Sequence, residues 1–275
     1  MTLSEIRDIL TSRDIQLTKS LGQNFLHDGN QLRRIVEAAN LHPGQRVLEI
    51  GPGLGPLTEL LVEKGCHVVA VEKDSRLVEV LEERFYGRDK LILLHADALE
   101  ELEEVSKDWS SWKLVSNLPY SVASPILVEL AMSPGCPQLM VTTLQLEVAQ
   151  RIMSKAGDDA YGILSLLLQL RYQPASSFKI PASCFFPVPD VDSACIVLVR
   201  RDQPLLRAGP QTKVFAQVVK QAFSQRRKMM LKLLRERWPD LPWEAFFTEL
   251  GVNPMARAEE VSLEQFVELT RKVSA

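Results

Sequence analysis

The sequence predicts an α/β fold of the Rossmann-like type, followed by a small C-terminal all-helical domain. Strand-like and helix-like stretches alternate from Arg46 onward, which is the pattern of right-handed βαβ units and a parallel sheet covered on both faces. An apolar run at residues 47–50 leads into three alternate glycines and an amphipathic stretch, as expected for a strand, a tight turn and a helix. After Arg201 the composition shifts and the pattern becomes helical throughout.

The individual elements follow from periodicity. A short helix opens the chain, with Leu3, Ile6 and Leu10 at helical spacing. The predicted strands are residues 47–50, 67–71, 91–95, 114–117, 139–144, 177–180 and 193–199. The predicted helices are residues 31–39, 56–64, 75–85, 123–132 and 161–170. The long connection between the last two strands indicates an antiparallel addition at the edge of the sheet.

Composition limits the class of protein. A chain of 275 residues, of which 46% are hydrophobic, can bury a full core. Its four cysteines include no C-x-x-C pair, so neither a zinc site nor a disulfide framework is predicted. The N-terminus lacks the apolar core of a signal peptide, and the longest uncharged run is broken by proline and glycine. These features predict a cytoplasmic protein without a membrane span or a metal.

The glycine-rich turn marks the predicted ligand site. It reads Glu49-x-Gly51-x-Gly53-x-Gly55, and glycines allow positive φ and a close approach of a ligand to the N–H groups of a helix N-terminus. The dinucleotide fingerprint has the spacing G-x-G-x-x-G. The spacing here favours a nucleoside ligand without a pyrophosphate, bound at Gly51 and Gly53. An ordinary tight turn between strand and helix is the alternative.

Two acidic residues end the next two predicted strands, on the side where ligands of parallel sheets bind. Glu72 follows the glycine turn by about twenty residues, where a carboxylate can accept hydrogen bonds from ribose hydroxyls; a solvated charge beside Lys73 is the alternative. Asp97 is predicted either to accept a hydrogen bond from an adenine amino group or to cap the following turn. Together with Gly51 and Asn117, these residues place four candidate ligand groups on one side of the sheet.

The turn Asn117-Leu118-Pro119-Tyr120 is the predicted catalytic motif. The exocyclic amine of a nucleobase is a poor nucleophile, because its lone pair is delocalised into the ring. The Asn117 side-chain oxygen and the Leu118 backbone carbonyl, held by a proline-fixed turn, would accept both amine hydrogens and aim the lone pair at a methyl group. Tyr120 would stack on an extruded base. The alternative is a strand-ending turn with Tyr120 as a half-buried wall.

Phe185 is a second candidate for stacking on the base. It begins the segment F-x-P-x-P-x-V-x-S at residues 185–193, in which the prolines stiffen an extended loop. From this position its ring would cover the other face of the base. A phenylalanine that belongs to the core explains the pattern equally well.

Positive charge is concentrated late in the chain. Residues 205–238 contain nine basic residues and a single acidic one, although the whole chain has a net charge of −3. Such a cluster is typical of a contact with RNA phosphates, and a solvated charged face is the alternative. The residues predicted to lie on adjacent turns of one helix are Arg226, Arg227, Lys228, Lys232 and Arg235.

Several motifs together resemble the ribosomal RNA adenine N6-dimethyltransferases, over nearly the whole chain. The matching segments are residues 19–26 (KSLGQNFL), 49–55, 72, 97, 117–120, 185–193, 223–228 (FSQRRK) and 257–260 (RAEE). The F-x-x-R-R-K element and the helical tail resemble the bacterial small-subunit rRNA dimethyladenosine transferases in particular. The erythromycin-resistance methylases, which modify large-subunit rRNA, share the catalytic motifs but usually not that tail.

The resemblance implies an enzyme that uses S-adenosyl-L-methionine on a methyltransferase domain. Its expected reaction is the transfer of two methyl groups to N6 of each of two adjacent adenosines. These adenosines lie in the 3′-terminal hairpin loop of 16S rRNA in the 30S particle, and they are modified during small-subunit biogenesis. The chain is expected to act as a monomer.

The resemblance also assigns site residues. The cofactor contacts that it implies are Asn24, Leu26, Gly51, Glu72, Asp97 and Asn117. It places Asn117 between cofactor and target amine, and it places Tyr120 and Phe185 on the two faces of the base. Asp190 departs from the family, which commonly has lysine there, so an RNA contact at this loop is less expected.

These observations predict two domains. Residues 1–201 would form the methyltransferase domain, with residues 1–30 as an N-terminal loop region for cofactor and substrate, and residues 202–275 would form a helical RNA-contacting domain. Three alternatives remain: a large-subunit methyltransferase of the erythromycin-resistance type, a non-catalytic RNA-binding factor on the same fold, and a nicotinamide oxidoreductase. The glycine spacing and the lack of a hydride-transfer acid disfavour the oxidoreductase.

Overall fold

The computed structural model describes residues 1–17, 22–103 and 108–274. The helices of these residues are α1 (Leu3–Ser12), α2 (Gly29–Ala38), α3 (Pro56–Glu63), α4 (Ser75–Arg84), α5 (Ala98–Glu103), α6 (Ala123–Met132), α7 (Leu146–Met153), α8 (Ile163–Gln169), α9 (Pro210–Ala222), α10 (Met230–Arg237), α11 (Trp243–Glu249) and α12 (Leu263–Val273). The strands are β1 (Phe25–Leu26), β2 (Arg46–Ile50), β3 (His67–Glu72), β4 (Leu91–His95), β5 (Lys113–Asn117), β6 (Leu139–Gln145), β7 (Tyr172–Ile180), β8 (Phe185–Phe186) and β9 (Ser193–Arg200).

A seven-stranded sheet forms the centre of the fold, in the order β4-β3-β2-β5-β6-β9-β7. The pairs β2/β3, β2/β5, β3/β4 and β5/β6 are parallel, and β9 runs antiparallel to β6. Parallel strands that are buried on both faces have nearly continuous apolar sequences, and residues 47–50 of β2 are all buried. The predicted Rossmann-like sheet with an antiparallel addition is confirmed.

The elements that were predicted differ from the observed ones mainly at their ends, and helices α5 and α7 were not predicted. Strand β4 and helix α6 have the predicted bounds. Helix α2 begins two residues early because Oδ1 of Asp28 accepts hydrogen bonds at 2.9 Å from the N–H groups of Asn30 and Gln31 and so caps the helix. Strand β7 is five residues longer than predicted. Its extra residues are mostly exposed on an edge strand, where no apolar alternation marks them.

A second, two-stranded sheet was not predicted. Phe25 of β1 lies opposite Phe186 of β8, and Leu26 lies opposite Phe185, in an antiparallel pair. Two residues on each side are too few to show a period-two pattern. This pairing joins the N-terminal loop to the start of the 185–193 segment.

The chain divides into two compact units. The first comprises Met1–Leu130, Gly135–Ala149 and Pro174–Arg200, and the second comprises Ala131–Pro134, Gln150–Gln173 and Arg201–Ala275. The boundary predicted near residue 201 lies beside the last of these junctions. The second unit also includes α8, which the sequence-based division assigned to the first domain.

Each unit has its own apolar core. In the first unit, helices α2 and α3 pack Ile35 and Leu61 against Val47, Val68 and Val115 of the sheet. In the second unit, α9 packs against α8, α10 and α12. None of the helices in the described part of the chain combines the length and the apolar character that a membrane crossing requires.

Candidate active site

Four strand-end groups meet in one pocket of the first unit. Gly51, Glu72, Asp97 and Asn117 all line it, because β4, β3, β2 and β5 are parallel neighbours whose carboxyl ends share one edge of the sheet. The pocket encloses about 1090 Å³ of space when the solvent at its mouth is included. The strand pattern therefore predicted the convergence correctly.

The glycine turn after β2 requires glycine for two reasons. Gly51 and Gly53 have φ of 69° and 63°, in the left-handed region where side chains are strained. A Cβ on Gly51 would lie 3.0 Å from Pro119, and a Cβ on Gly53 would lie 2.8 Å from the ring of Phe25. Pro119 and the Phe25 ring of β1 therefore pack closely against this turn.

Glu72 is held by the backbone around the pocket. Its Oε2 accepts a hydrogen bond from the N–H of Gly53 at 3.1 Å, and its Oε1 accepts from the N–H groups of Lys73 and Asp74 at 2.9 and 3.0 Å. Burial raises the pKa of Glu72, while these backbone hydrogen bonds act in the opposite direction. The side chain is 7% exposed, so the alternative of a solvated charge is wrong.

Asp97 is held by hydrogen bonds within the protein. Its Oδ1 accepts a hydrogen bond from the N–H of Leu99 at 2.9 Å, which is the predicted turn cap. Its Oδ2 forms an ion pair with Nζ of Lys73 at 2.6 Å, and this hydrogen bond holds the pKa of Asp97 below its ordinary value. An adenine amino group would share this carboxylate with Lys73, so the cofactor contact of Asp97 stays a prediction.

Glu49 is a buried acidic residue of the pocket, and the spacing of the glycine motif alone does not assign it a role. Its side chain lines the pocket and is 1% exposed. Oε2 is buried and has no hydrogen-bond partner among the described residues. Burial raises the pKa of Glu49 to about 8, and the nearby charge of Glu72 contributes in the same direction. Burial therefore destabilises the ionised form of Glu49, and a cation bound nearby would stabilise that form.

Asn117 is held from two sides at the end of β5. Its Nδ2 donates a hydrogen bond to the backbone carbonyl of Asn24 at 3.0 Å. Its Oδ1 accepts a close hydrogen bond from the hydroxyl of Thr143, which lies opposite it in β6. No motif pointed to Thr143, because threonine is a common strand residue and its neighbour is known only from the strand pairing.

Tyr120 lies at the pocket wall with its hydroxyl fixed. The hydroxyl is 2.5 Å from Oγ of Ser193, the buried first residue of β9. Burial raises the pKa of Tyr120, so the phenol stays neutral at physiological pH. The side chain lines the pocket together with Leu118 and Pro119, as the predicted stacking role requires.

Phe185 does not take the predicted position against a base. Its ring is 1% exposed and belongs to an apolar cluster with Leu26 and Cys184. The rings of Phe185 and Tyr120 meet edge to face, with centroids 6.5 Å apart and planes at 66°. A base sandwich needs two parallel rings with an open gap between them. This arrangement therefore matches the core alternative for Phe185 and not the sandwich.

The N-terminal loop closes one side of the pocket. Asn24 and Leu26 both line it, and Leu26 is nearly fully buried. Nε2 of Gln23 donates a hydrogen bond to Oδ2 of Asp74 at 2.8 Å, which ties the loop to the N-terminal cap of α4. The lysine, serine and leucine at residues 19–21 of the motif lie outside the described residues.

The basic triplet lies in a turn and not in a helix. Helix α9 ends at Ala222 and α10 begins at Met230, so the prediction that Arg226, Arg227 and Lys228 follow adjacent helical turns is wrong. The charge pattern did not reveal the break. All three side chains are exposed. Nε of Arg226 lies 3.2 Å from a carboxylate oxygen of Glu259, and its Nη2 donates to a backbone carbonyl.

The family model for ribosomal RNA adenine dimethylases matches residues 15–274. The chain belongs to the ribosomal RNA adenine dimethylase family. The resemblance seen in the sequence motifs is thereby confirmed. So is the assignment as an S-adenosylmethionine-dependent methyltransferase, and the nicotinamide oxidoreductase is excluded.

Relatives of this ribosomal RNA adenine dimethylase cover nearly its full length. Ribosomal RNA small subunit methyltransferase A of Opitutus terrae is 40% identical over 270 residues, which are 96% of both chains. The protein of the same name in Bacillus cytotoxicus is 36% identical over 279 residues, covering 98% of this chain and 95% of the relative. Both names refer to the small subunit.

Solved structures of a 23S rRNA methyltransferase and of a dimethyladenosine transferase share the fold. The 23S rRNA methyltransferase ErmE is 28% identical, with a TM-score of 0.69 over 91% of this chain and 100% of that one. A dimethyladenosine transferase from Plasmodium falciparum is 21% identical, with a TM-score of 0.74 over 89% and 95% of the two chains. The small-subunit relatives are more similar in sequence than ErmE, which favours the small-subunit interpretation over the erythromycin-resistance type.

Proposed function

We propose that this chain dimethylates N6 of two adjacent adenosines in the 3′-terminal hairpin loop of 16S rRNA within the 30S particle. The observation that carries the proposal is the convergence of the glycine turn, Glu72, Asp97 and Asn117 in one pocket. The small-subunit names of the relatives support the choice of RNA.

The residues present fit S-adenosylmethionine. Glu72 and Asp97 give the pocket carboxylates, and a ligand that carries positive charge would favour the ionised form of Glu49 beside them. Glu72 would accept a hydrogen bond from a ribose hydroxyl with the lone pair of Oε2 that its three backbone donors leave free, and Asp97 would accept from the adenine amine. When bound, the cofactor supplies an electrophilic methyl group on a sulfonium.

Asn117 and Leu118 would orient the target amine. The Asn117 Oδ1 accepts from Thr143 and keeps a second lone pair for an amine hydrogen. The Leu118 carbonyl, in a turn stiffened by Pro119, would accept the other hydrogen. Drawing both hydrogens into the plane of these acceptors directs the nitrogen lone pair toward the methyl donor. Positioning supplies the rate, and no strong base is required.

Tyr120 would receive the extruded adenine. Extrusion costs a few kcal/mol of stacking, and an aromatic platform returns about 1–3 kcal/mol per base. The hydrogen bond between the Tyr120 hydroxyl and Oγ of Ser193 holds the Tyr120 ring in place at the pocket wall. Phe185 would contribute only through the edge-to-face contact of its ring with Tyr120.

The basic turn at residues 223–229 is the proposed RNA-phosphate contact of the helical unit. Neutralising Arg226, Arg227 and Lys228 to glutamine is expected to weaken RNA binding. It should also make the dependence of log K on log salt shallower by about 0.7–0.9 for each phosphate that the variant no longer neutralises. Because Arg226 is already paired with Glu259, most of the change should come from Arg227 and Lys228. Filter binding at several salt concentrations measures it.

The matched control for this triplet is a pair of exposed basic residues on the first unit. Lys64 and Arg88 are both exposed, and their replacement by glutamine should leave the salt slope nearly as in the wild type. If the triple variant also retains the wild-type slope, the turn makes no phosphate contact.

The function is tested by incubating the protein with methyl-labelled S-adenosylmethionine and unmethylated 30S or 50S subunits, and then mapping the modified nucleotides. Label is expected in two adjacent adenosines near the 3′ end of 16S rRNA, as N6,N6-dimethyladenosine. Label in 23S rRNA would support the erythromycin-resistance alternative. Cofactor binding without any transfer would support a non-catalytic RNA-binding factor.

A further inference from the structure

Asn117 belongs to a row of three side chains that crosses the sheet. Thr143 of β6 lies opposite Asn117 of β5 and opposite Cys195 of β9, and neighbours on paired strands point to the same face. Thr143 and Cys195 are fully buried. Burial raises the pKa of the Cys195 thiol to about 12, so the thiol stays protonated and is only a weak hydrogen-bond partner. Of these two neighbours, Asn117 is therefore the strong hydrogen-bond partner of the Thr143 hydroxyl.

The two contacts of Asn117 allow one orientation of its amide. The backbone carbonyl of Asn24 can only accept a hydrogen bond, so the atom that faces it at 3.0 Å has to be Nδ2. Oδ1 then faces Thr143, and the hydroxyl has to donate to it. If the amide rotated by 180°, a carbonyl would face a carbonyl. Asn24 is itself placed by the β1–β8 pairing that begins at the next residue.

We propose that Thr143 is a positioning residue for methyl transfer, which fixes Oδ1 of Asn117 as the acceptor of the target amine hydrogen. The inference rests on the proposed function, because it assigns Thr143 to the same reaction. Thr143 lies beside Asn117 on the neighbouring strand and is absent from the pocket lining among the described residues. Its effect is therefore exerted through Asn117 and not through contact with either substrate.

The Thr143→Val variant tests this role. Valine keeps the shape of threonine and removes the hydroxyl, so the Asn117 amide loses one of its two restraints. We expect kcat to fall about 10-fold or more, since a small misplacement of a reacting group is costly, while KM for S-adenosylmethionine and for 30S subunits stays within about twofold. Thr143→Ser restores the hydroxyl and should bring kcat to within about threefold of the wild type.

The adjacent residue offers a matched control. Thr142 is equally buried in β6, and its hydroxyl has no hydrogen-bond partner among the described residues. Thr142→Val makes the same chemical change next to Thr143, and it should leave kcat unchanged. Thermal unfolding and calorimetric titration with S-adenosylhomocysteine show that each variant is folded with an intact cofactor pocket.

A second readout does not depend on activity. The side-chain amide signals of Asn117 in a ¹⁵N–¹H spectrum, assigned by their loss in Asn117→Ala, should shift or broaden in Thr143→Val but not in Thr143→Ser or Thr142→Val. The proposal is overturned if these signals are unchanged in Thr143→Val, if kcat is unchanged, or if serine is as impaired as valine. Absence of transfer by the wild type, with the amide signals behaving as expected, would contradict only the proposed function.

Discussion

Replacement of Asn117 by alanine is expected to lower kcat for methyl transfer by about 10³-fold or more, because the target amine loses the acceptor that aims its lone pair. The affinity for S-adenosylmethionine should change little. Glu72, Asp97 and the glycine turn provide most of the proposed cofactor contacts, and none of the hydrogen bonds that hold Glu72 or Asp97 involves Asn117. Single-turnover kinetics with 30S subunits and calorimetry with the cofactor separate the two quantities.

The control for this variant is Asn30→Ala, which changes an exposed asparagine of α2 outside the pocket. It should transfer methyl groups at the wild-type rate. If Asn117→Ala also turns over near the wild-type rate, Asn117 does not orient the amine. If it loses cofactor affinity in proportion to its loss of rate, Asn117 acts mainly in cofactor binding.

The Glu49→Gln variant is expected to lack the loss of stability with rising pH that the raised pKa of Glu49 causes. The pKa of Glu49 is about 8 in the fold and near 4.5 in an unconstrained chain. Between these values the folded state holds a proton that the unfolded state has lost, so rising pH lowers the free energy of unfolding. The free energy of unfolding falls by about 1.36 kcal/mol for each pH unit between these two pKa values, and the total loss approaches about 5 kcal/mol.

The difference in the free energy of unfolding between this variant and the wild type should therefore change with pH. Below pH 4.5 the difference should be constant, and from there to about pH 8 it should move in favour of Glu49→Gln by a few kcal/mol. Glu63→Gln, at an exposed position on α3, should run parallel to the wild type. Urea denaturation at a series of pH values provides the measurement. Parallel curves for Glu49→Gln would show that Glu49 ionises normally in the fold.

The local sequence pattern was sufficient to predict the structure of segments whose conformation depends mainly on their own residues. The apolar runs of the parallel strands indicated the order of the elements, and the rule that ligands bind at the carboxyl ends predicted the convergence of Gly51, Glu72, Asp97 and Asn117. The bounds of β4 and α6 followed from the same patterns. Family membership followed from motifs spread over nearly the whole chain.

Features that depend on pairing between distant segments were missed. Thr143 and Ser193 have their partners 26 and 73 residues away, and no spacing rule connects them. The β1–β8 pair is too short to carry a period. The burial of Phe185 depends on the cluster around it, and a sequence cannot show which face of an aromatic ring is covered. The turn at residues 223–229 contains neither glycine nor proline, the usual breakers of a helix.

The central claim is that the strand-end pocket holds S-adenosylmethionine with its adenine at Asp97, its ribose at Glu72 and its sulfur end toward Asn117. A crystal structure of the complex with S-adenosylhomocysteine tests it most directly. We expect the ribose hydroxyls within hydrogen-bonding distance of the Glu72 carboxylate and the adenine amine within hydrogen-bonding distance of Asp97. A ligand bound outside this pocket, or bound in it with the adenine toward Asn117, would contradict this claim.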